Sequence, residues 1–191
     1  YWNMLRKRVI PILQLNDDEL VKSTKYKNHK YVGDPINAVR IFNEKRVDEI
    51  ILIDVFNSKF NKDINYEIVK EIADECRMPF TYGGGINNLF QVEKLFSIGV
   101  EKILLNTSIL SDYRIIKDLS KIYGNQSIIA SIDVKKDYNG RFKVYKWTKD
   151  EITNLEIENH IEKCIDFGAG EILINNIDKD IIQYRVNTYY F

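Results

Sequence analysis

The sequence predicts an α/β domain of the (βα)8-barrel type, incomplete, with about six parallel strands. Three observations lead there. Apolar runs at 9–15, 50–54, 79–82, 103–105, 128–134 and 172–174 alternate with segments whose apolar residues recur at helical spacing, the pattern of a parallel sheet covered by helices. Four runs open on a charged residue and close on a polar one: Arg8 to Gln14, Glu49 to Asp54, Lys102 to Asn106, and Glu171 to Asn175. Side chains two apart in a strand share a face, so Arg8, Ile10, Ile12 and Gln14 point one way, as do Lys102, Leu104 and Asn106, and Glu171, Leu173 and Asn175. At about 3.3 Å per residue the charged rim lies about 20 Å from the polar rim, the depth of a barrel interior. The chain also resembles itself: Ile12-Leu13-Gln14-Leu15 returns as Ser131-Ile132-Asp133-Val134, and Asp48-Glu49-Ile50-Ile51-Leu52 as Gly170-Glu171-Ile172-Leu173-Ile174, each about 120 residues later. A duplicated half of this kind implies eight strands, of which the sequence offers six.

Taken in order, the first run ends at Gln14 and leads into a basic, aromatic stretch, Lys22, Lys25, Tyr26, Lys27, His29, Lys30 and Tyr31, read as a long loop. A mobile lid that meets an anionic substrate and a solvated surface loop are both open there. Gly33-Asp34-Pro35 suits an N-cap followed by proline at the first helical position, and Ile36, Val39, Phe42 and Val47 carry that helix. The second run ends at Asp54; Ile68, Val69, Ile72 and Cys76 form the next helix face. The third meets Gly83-Gly84-Gly85 ahead of Ile86-Asn87-Asn88 and a helix marked by Val92, Leu95 and Phe96. The fourth closes in Asn106-Thr107-Ser108 before Ile115, Ile116, Leu119 and Ile122, and the fifth carries Asp133. After it, Asp137-Tyr138-Asn139-Gly140 and the alternating Phe142, Val144, Tyr145 and Trp147 indicate a hairpin excursion. Ile157, Ile161, Cys164 and Ile165 form the last helix, the sixth run follows, and residues 181–191 match neither period and read as an atypical tail.

Composition narrows the function classes. At 191 residues the chain reads as one domain over 1–191. Twenty-eight basic and 28 acidic residues cancel, leaving no global field for nucleic acid or an anionic membrane, so an anion site must be local. Cys76 and Cys164 have no metal-type spacing and read as reduced thiols of a cytoplasmic protein. His29 and His160 alone make no metal centre, and no cofactor is expected. No apolar run approaches the roughly 18 residues of a membrane span, the start lacks a leader's apolar stretch, and Met4 is the expected first residue.

The chemistry is expected at the polar rim. Gly84 and Gly85 expose backbone N–H groups suited to an anion, and Asn106 and Thr107 add amide and hydroxyl donors at the same rim, so phosphate is the expected anion. Asp133 and Gln14 fall at equivalent ends of the first and fifth strands, where they would flank a substrate. Gln14 can orient or polarise but cannot titrate. Asp54 and Asp180 hold loops or touch ligand, and Lys22 is the basic residue nearest the first strand end. At the opposite rim Arg8, Glu49, Lys102 and Glu171 can pair as an alternating ring that shuts the pore to water.

These residues resemble a known family. Met4-Leu-Arg-Lys-Arg-Val-Ile-Pro, Gly33-Asp-Pro-Ile-Asn-Ala-Val, Asp48-Glu-Ile-Ile-Leu-Ile-Asp, Thr81-Tyr-Gly-Gly-Gly-Ile, Lys102-Ile-Leu-Leu-Asn-Thr, Ser131-Ile-Asp-Val-Lys and Gly168-Ala-Gly-Glu-Ile-Leu together are similar to the cyclase subunit of imidazole glycerol phosphate synthase, over residues 4 to 180. The resemblance implies a TIM barrel of histidine biosynthesis, a lyase-type synthase that acts on a phosphorylated small molecule and receives ammonia from a class I glutaminase amidotransferase. It implies that Asp133 is one of two catalytic aspartates, that Lys22 lies near the active site, that Gly85, Asn106 and Thr107 bind substrate phosphate, that Arg8, Glu49, Lys102 and Glu171 are a salt-bridge gate, and that Thr81 lies on the ammonia path. Two positions depart from the pattern: Gln14 replaces the first aspartate, and Asp180-Ile181 replaces the Asp-Gly that follows the sixth strand, which removes a glycine suited to phosphate contact. The seventh and eighth strands are missing, as a frameshift, a partial sequence or a decayed gene would produce. Gln14 with Val21-Lys22-Ser23-Thr24 is more similar to a divergent branch linked to amidation of surface-polysaccharide sugars, and an inactive remnant or glutaminase scaffold is the non-enzyme alternative.

Overall fold

The six apolar runs become six parallel strands in the computed structural model, which describes residues 8–16, 18–24, 27–60, 62–178 and 181–186. In chain order these begin with β1 (Ile12–Asn16), the antiparallel β2 (Glu19–Thr24) and β3 (Lys27–Gly33), then α1 (Pro35–Lys45) and β4 (Ile50–Asp54). A single turn α2 (Asn57–Phe60), α3 (Tyr66–Glu75), β5 (Phe80–Gly83), α4 (Leu89–Ser97) and β6 (Lys102–Leu105) follow. Next come α5 (Thr107–Ser111), α6 (Arg114–Tyr123), β7 (Ile128–Lys136), the excursion β8 (Phe142–Lys146) and β9 (Glu151–Ile152), α7 (Ile157–Asp166), β10 (Glu171–Asn176) and β11 (Ile181–Val186). The parallel strands run β10-β7-β6-β5-β4-β1 across the sheet.

Local chemistry sets the helix starts. The Asp34 carboxylate accepts from the Asn37 N–H at 3.0 Å with Pro35 in the first turn, as the sequence predicts. Asn65 accepts from the N–H groups of Glu67 and Ile68, and Asn88 from that of Gln91, whose side chain accepts in return from the Asn87 N–H. The helical periodicity then buries one stripe per helix: Val39, Val69 and Ile72, Val92 and Leu95, Ile116 and Leu119, and Cys164. These stripes and the outward strand residues, among them Ile50, Leu52, Phe80, Ile103 and Ile132, form the main core. A second, smaller core lies on the other face of the sheet, where Ile51, Leu104, Ile129 and Leu173 meet Ile10, Ile12 and Ile53. Alternation along each strand thus separates a helix-facing layer from an interior one.

Two expectations are corrected. The basic stretch after the first strand, read as a loop, is paired strand in β2 and β3, with Leu20 paired to Gly33 and Val21 to Tyr31, while Lys25 and Tyr26 lie outside the described residues. Val21, Tyr31 and Val32 have the branched and aromatic character of strands, and the exposed Lys22 and Lys30 suit strands at the edge of a sheet. Both flanks of the six parallel strands are also occupied: β2 pairs β1 from Gln14 to Asn16, and β11 runs antiparallel along the whole of β10. Residues 181–186 are therefore a strand, while 187–191 of the atypical tail lie outside the described residues. Among the described residues β1 and β10 do not pair with each other, so the sheet is not closed. No helix among them is long and apolar enough to cross a membrane.

One buried group ties this packing to pH. His160 on α7 is 1% exposed, shares a hydrogen bond between its Nδ1 and the Tyr113 hydroxyl, and leaves Nε2 buried without a partner. Burial, reinforced by Lys163, lowers its pKa from 6.5 to about 4. The unfolded chain binds this proton first as pH falls, so the stability contribution is complete above about pH 6.5 and is lost towards about pH 4, an amount of about 3 kcal/mol. Urea unfolding is expected to show the stability gap between the native protein and a His160→Gln variant shrinking by that amount across the window. Burial likewise pushes both thiols, Cys76 and Cys164, up to about 12, which leaves them protonated and unreactive near neutral pH.

Candidate active site and ion ring

Inward parity brings the polar strand ends together at the carboxyl mouth of the sheet. Asp133 on β7 is buried, and its two oxygens are held separately: Asn106 donates to Oδ2 at 3.0 Å and Asn175 to Oδ1 at 2.9 Å. The carboxylate is thereby fixed between neighbouring strands, with β10 placing Asn175 directly beside it in register. Ser131, two residues earlier on the same face, lines the same cavity. So do Ile53, Val55 and Leu104 on the apolar side, and Gly84, Gly85 and Thr107 on the polar side.

Gly84 and Gly85 take φ values of +122° and +68°. A Cβ on Gly84 would sit 2.3 Å from the Asp54 carbonyl oxygen, and one on Gly85 would sit 2.9 Å from the Asn57 Cβ. The loop therefore needs both its bare backbone and its left-handed turn. Gly84→Ala is expected to cost about 2 kcal/mol or more, read as a lowered midpoint in urea. A second hollow continues from this loop, sharing Gly85, Ile86 and Thr107 with the first and reaching Ser108, whose buried hydroxyl oxygen has no partner. Asp54 lines the first cavity and also braces its wall, since Oδ1 accepts from the Phe56 and Asn57 N–H groups, both at 3.2 Å.

The remaining sequence candidates are dispersed. Gln14 lies half-buried at the mouth end of β1, paired with Ile53 and Val21, and does not line the cavity. Lys22 is exposed on β2, opposite Lys30 and outside the cavity lining. Asp180 lies outside the described residues. Trp147 is the residue that sequence reasoning missed. It follows β8, lines the cavity beside Asp133, and its Nε1 donates to the Val55 carbonyl at 3.3 Å. The alternation around it announced a hairpin, but nothing local announced that the hairpin would fold back over the mouth. Nearby, Tyr145 donates to Asp150 at 2.6 Å. Burial first, then Asp150, and then the Asp133 charge raise its pKa well above the usual phenol value.

At the other end of the interior, Arg8, Glu49, Lys102 and Glu171 close into a ring. Lys102 Nζ lies 2.8 Å from Glu49 and 2.9 Å from Glu171, Arg8 pairs with Glu49, and its second nitrogen lies 3.7 Å from Glu171. The last contact spans the opening between β1 and β10, and is too long to satisfy Glu171 Oε2 as a hydrogen bond. Burial alone would lower the Lys102 pKa, but its hydrogen bonds to Glu49 and Glu171 outweigh that and raise it, so the ammonium keeps its proton. The repeated Glu-Ile-Ile-Leu and Glu-Ile-Leu-Ile segments thus contribute the two acids of the ring, while Thr81, paired in register with Lys102, sits fully buried with its hydroxyl unpartnered.

A mostly parallel, helix-covered sheet with a carboxylate at its carboxyl mouth and an ion ring at its base defines a protein of the TIM-barrel type. Comparison with known proteins narrows that class. Residues 8–184 match the family described as histidine biosynthesis protein. The chain is 48% identical over 183 residues to a Pseudomonas aeruginosa protein provisionally named imidazole glycerol phosphate synthase subunit hisF2, covering 94% of this chain and 72% of the relative. It is 42% identical over 178 residues to a Leptospira interrogans protein provisionally named as subunit HisF of the same synthase, covering 93% and 70%. To imidazole glycerol phosphate synthase subunit HisF of Streptococcus mutans it is 32% identical over 177 residues, again covering 93% and 70%. The chain belongs to the histidine biosynthesis protein family, whose fold is the TIM barrel.

Proposed function

We propose that the chain is an ammonia-using, lyase-type synthase subunit, similar in role to the cyclase of imidazole glycerol phosphate synthase. It would work in the cytoplasm with a class I glutaminase as its ammonia source. The observation that supports this best is the order of layers inside the sheet: ion ring, then aliphatic side chains, then the carboxylate of Asp133. A paired ring excludes bulk water, and an aliphatic layer passes a small neutral amine more readily than its ammonium form. Asp133, gripped by two amides, would move a proton at the substrate. Gly84, Gly85 and Thr107 would take the substrate's phosphate.

The test supplies an ammonium salt and the aminoimidazole ribonucleotide precursor to the purified protein. Ammonia-dependent turnover is the expected result, and turnover from glutamine is expected only with the glutaminase present. Gln14, standing where the resemblance places an acid, favours a second reading in which ammonia reaches a surface-polysaccharide sugar. Raised glutamine hydrolysis by a bound glutaminase, with no turnover of the ribonucleotide, would select it.

A further inference from the structure

Trp147 has a structural reason to be more than packing. The chain reaches it through an excursion that leaves β7 three residues after Asp133, pairs back as Val134 with Val144, and ends in a tight turn closed by Asp150 at φ 51°. Tyr145 and Ile177 pack with the indole, its N–H is spent on Val55 in the loop after β4, and the Lys59 ammonium of α2 lies 4.0 Å from the ring centroid. Three separate segments therefore fix the ring, yet it still borders the cavity that holds Asp133, Gly85 and Thr107. An indole whose polar atom is already satisfied presents only carbon surface to a ligand. The Lys59 contact adds polarisation to that surface.

Resting on the reading of this cavity as a phosphate-ester site, we infer that Trp147 is a substrate-contacting, specificity-determining residue that packs against a flat unsaturated group of the substrate while the glycine loop holds its phosphate. The indole discriminates between phosphorylated compounds that carry such a group and those that do not.

The protein contains two tryptophans, so a Trp2→Phe background makes Trp147 the sole indole reporter. Two probes separate the parts of the claim: ribose 5-phosphate, which has the phosphate alone, and an aminoimidazole ribonucleotide, which has a flat ring as well. The ribonucleotide is expected to change Trp147 fluorescence on binding and ribose 5-phosphate to bind with little change. Trp147→Ala is expected to weaken the ribonucleotide about 10-fold and leave ribose 5-phosphate unaffected, with Trp147→Phe restoring most of the loss. Equal loss for both probes, or no loss for either, would overturn the inference while leaving the phosphate site standing. If neither probe binds the unsubstituted protein, the phosphate reading fails and this inference with it. Because binding is the readout, an inactive chain does not obscure the result.

Discussion

Asp133→Asn is expected to lower ammonia-dependent kcat by about 100- to 10,000-fold, the range for losing a positioned general acid or base. The structure makes the substitution unusually informative. Both Asp133 oxygens accept from amide donors, Asn106 at one and Asn175 at the other. An asparagine keeps the shape but offers one acceptor and one donor, so one contact must become donor against donor unless a neighbouring amide flips. The stability cost is therefore expected at about 1–3 kcal/mol, well short of unfolding a domain of ordinary stability. Asn175→Ala supplies the control: it frees one carboxylate oxygen while leaving the charge. A loss of kcat shared by both variants, with KM little changed, would assign the effect to the orientation of the carboxylate. A loss confined to Asp133→Asn would assign it to the proton. Unchanged turnover in Asp133→Asn would remove the residue from the chemistry.

What the sequence made legible divides along physical lines. Parity within a strand is a local property, so the inward placing of Lys102, Leu104 and Asn106, or of Glu171, Leu173 and Asn175, could be read from spacing alone, as could the Asp34 cap. The grouping of Arg8, Glu49, Lys102 and Glu171 followed because equal strand phases in one sheet put equal positions at one level. Lys22 and Trp147 behaved differently, since each lies on an excursion whose return path depends on which edge or mouth accepts it. The basic stretch reads as a loop for that reason. Its lysines signal solvent, but the hydrogen-bonding demand of the β1 edge turns it into paired strands. Asp54 shows a third case. Its place at a strand end was plain, whereas its use as a loop brace depended on where the Phe56 and Asn57 N–H groups turned.

Removing Lys102 is expected to have the largest effect on stability of any single change in the interior. Its ammonium is shared by Glu49 and Glu171, whose side chains are only 6% and 9% exposed. Lys102→Ala would leave two buried carboxylates with Arg8 as their shared counter-charge, and loss of one partner from a buried ionic group costs about 3–5 kcal/mol. Arg8→Ala is expected to cost less, because the arginine side chain is 30% exposed and its contact with Glu171 is 3.7 Å. The raised Lys102 pKa fixes the sign of the pH dependence: its contribution is complete below about 10.5 and disappears only as pH rises through the higher folded value. Urea titrations across the neutral range should therefore give a constant difference between the native protein and Lys102→Ala. The same variant separates structure from passage. With the glutaminase bound, a ring that meters ammonia predicts that turnover from glutamine falls or uncouples from glutamine hydrolysis while turnover from added ammonium survives. A ring that serves only to hold the strands together predicts that both activities decline in step with the fraction of folded protein.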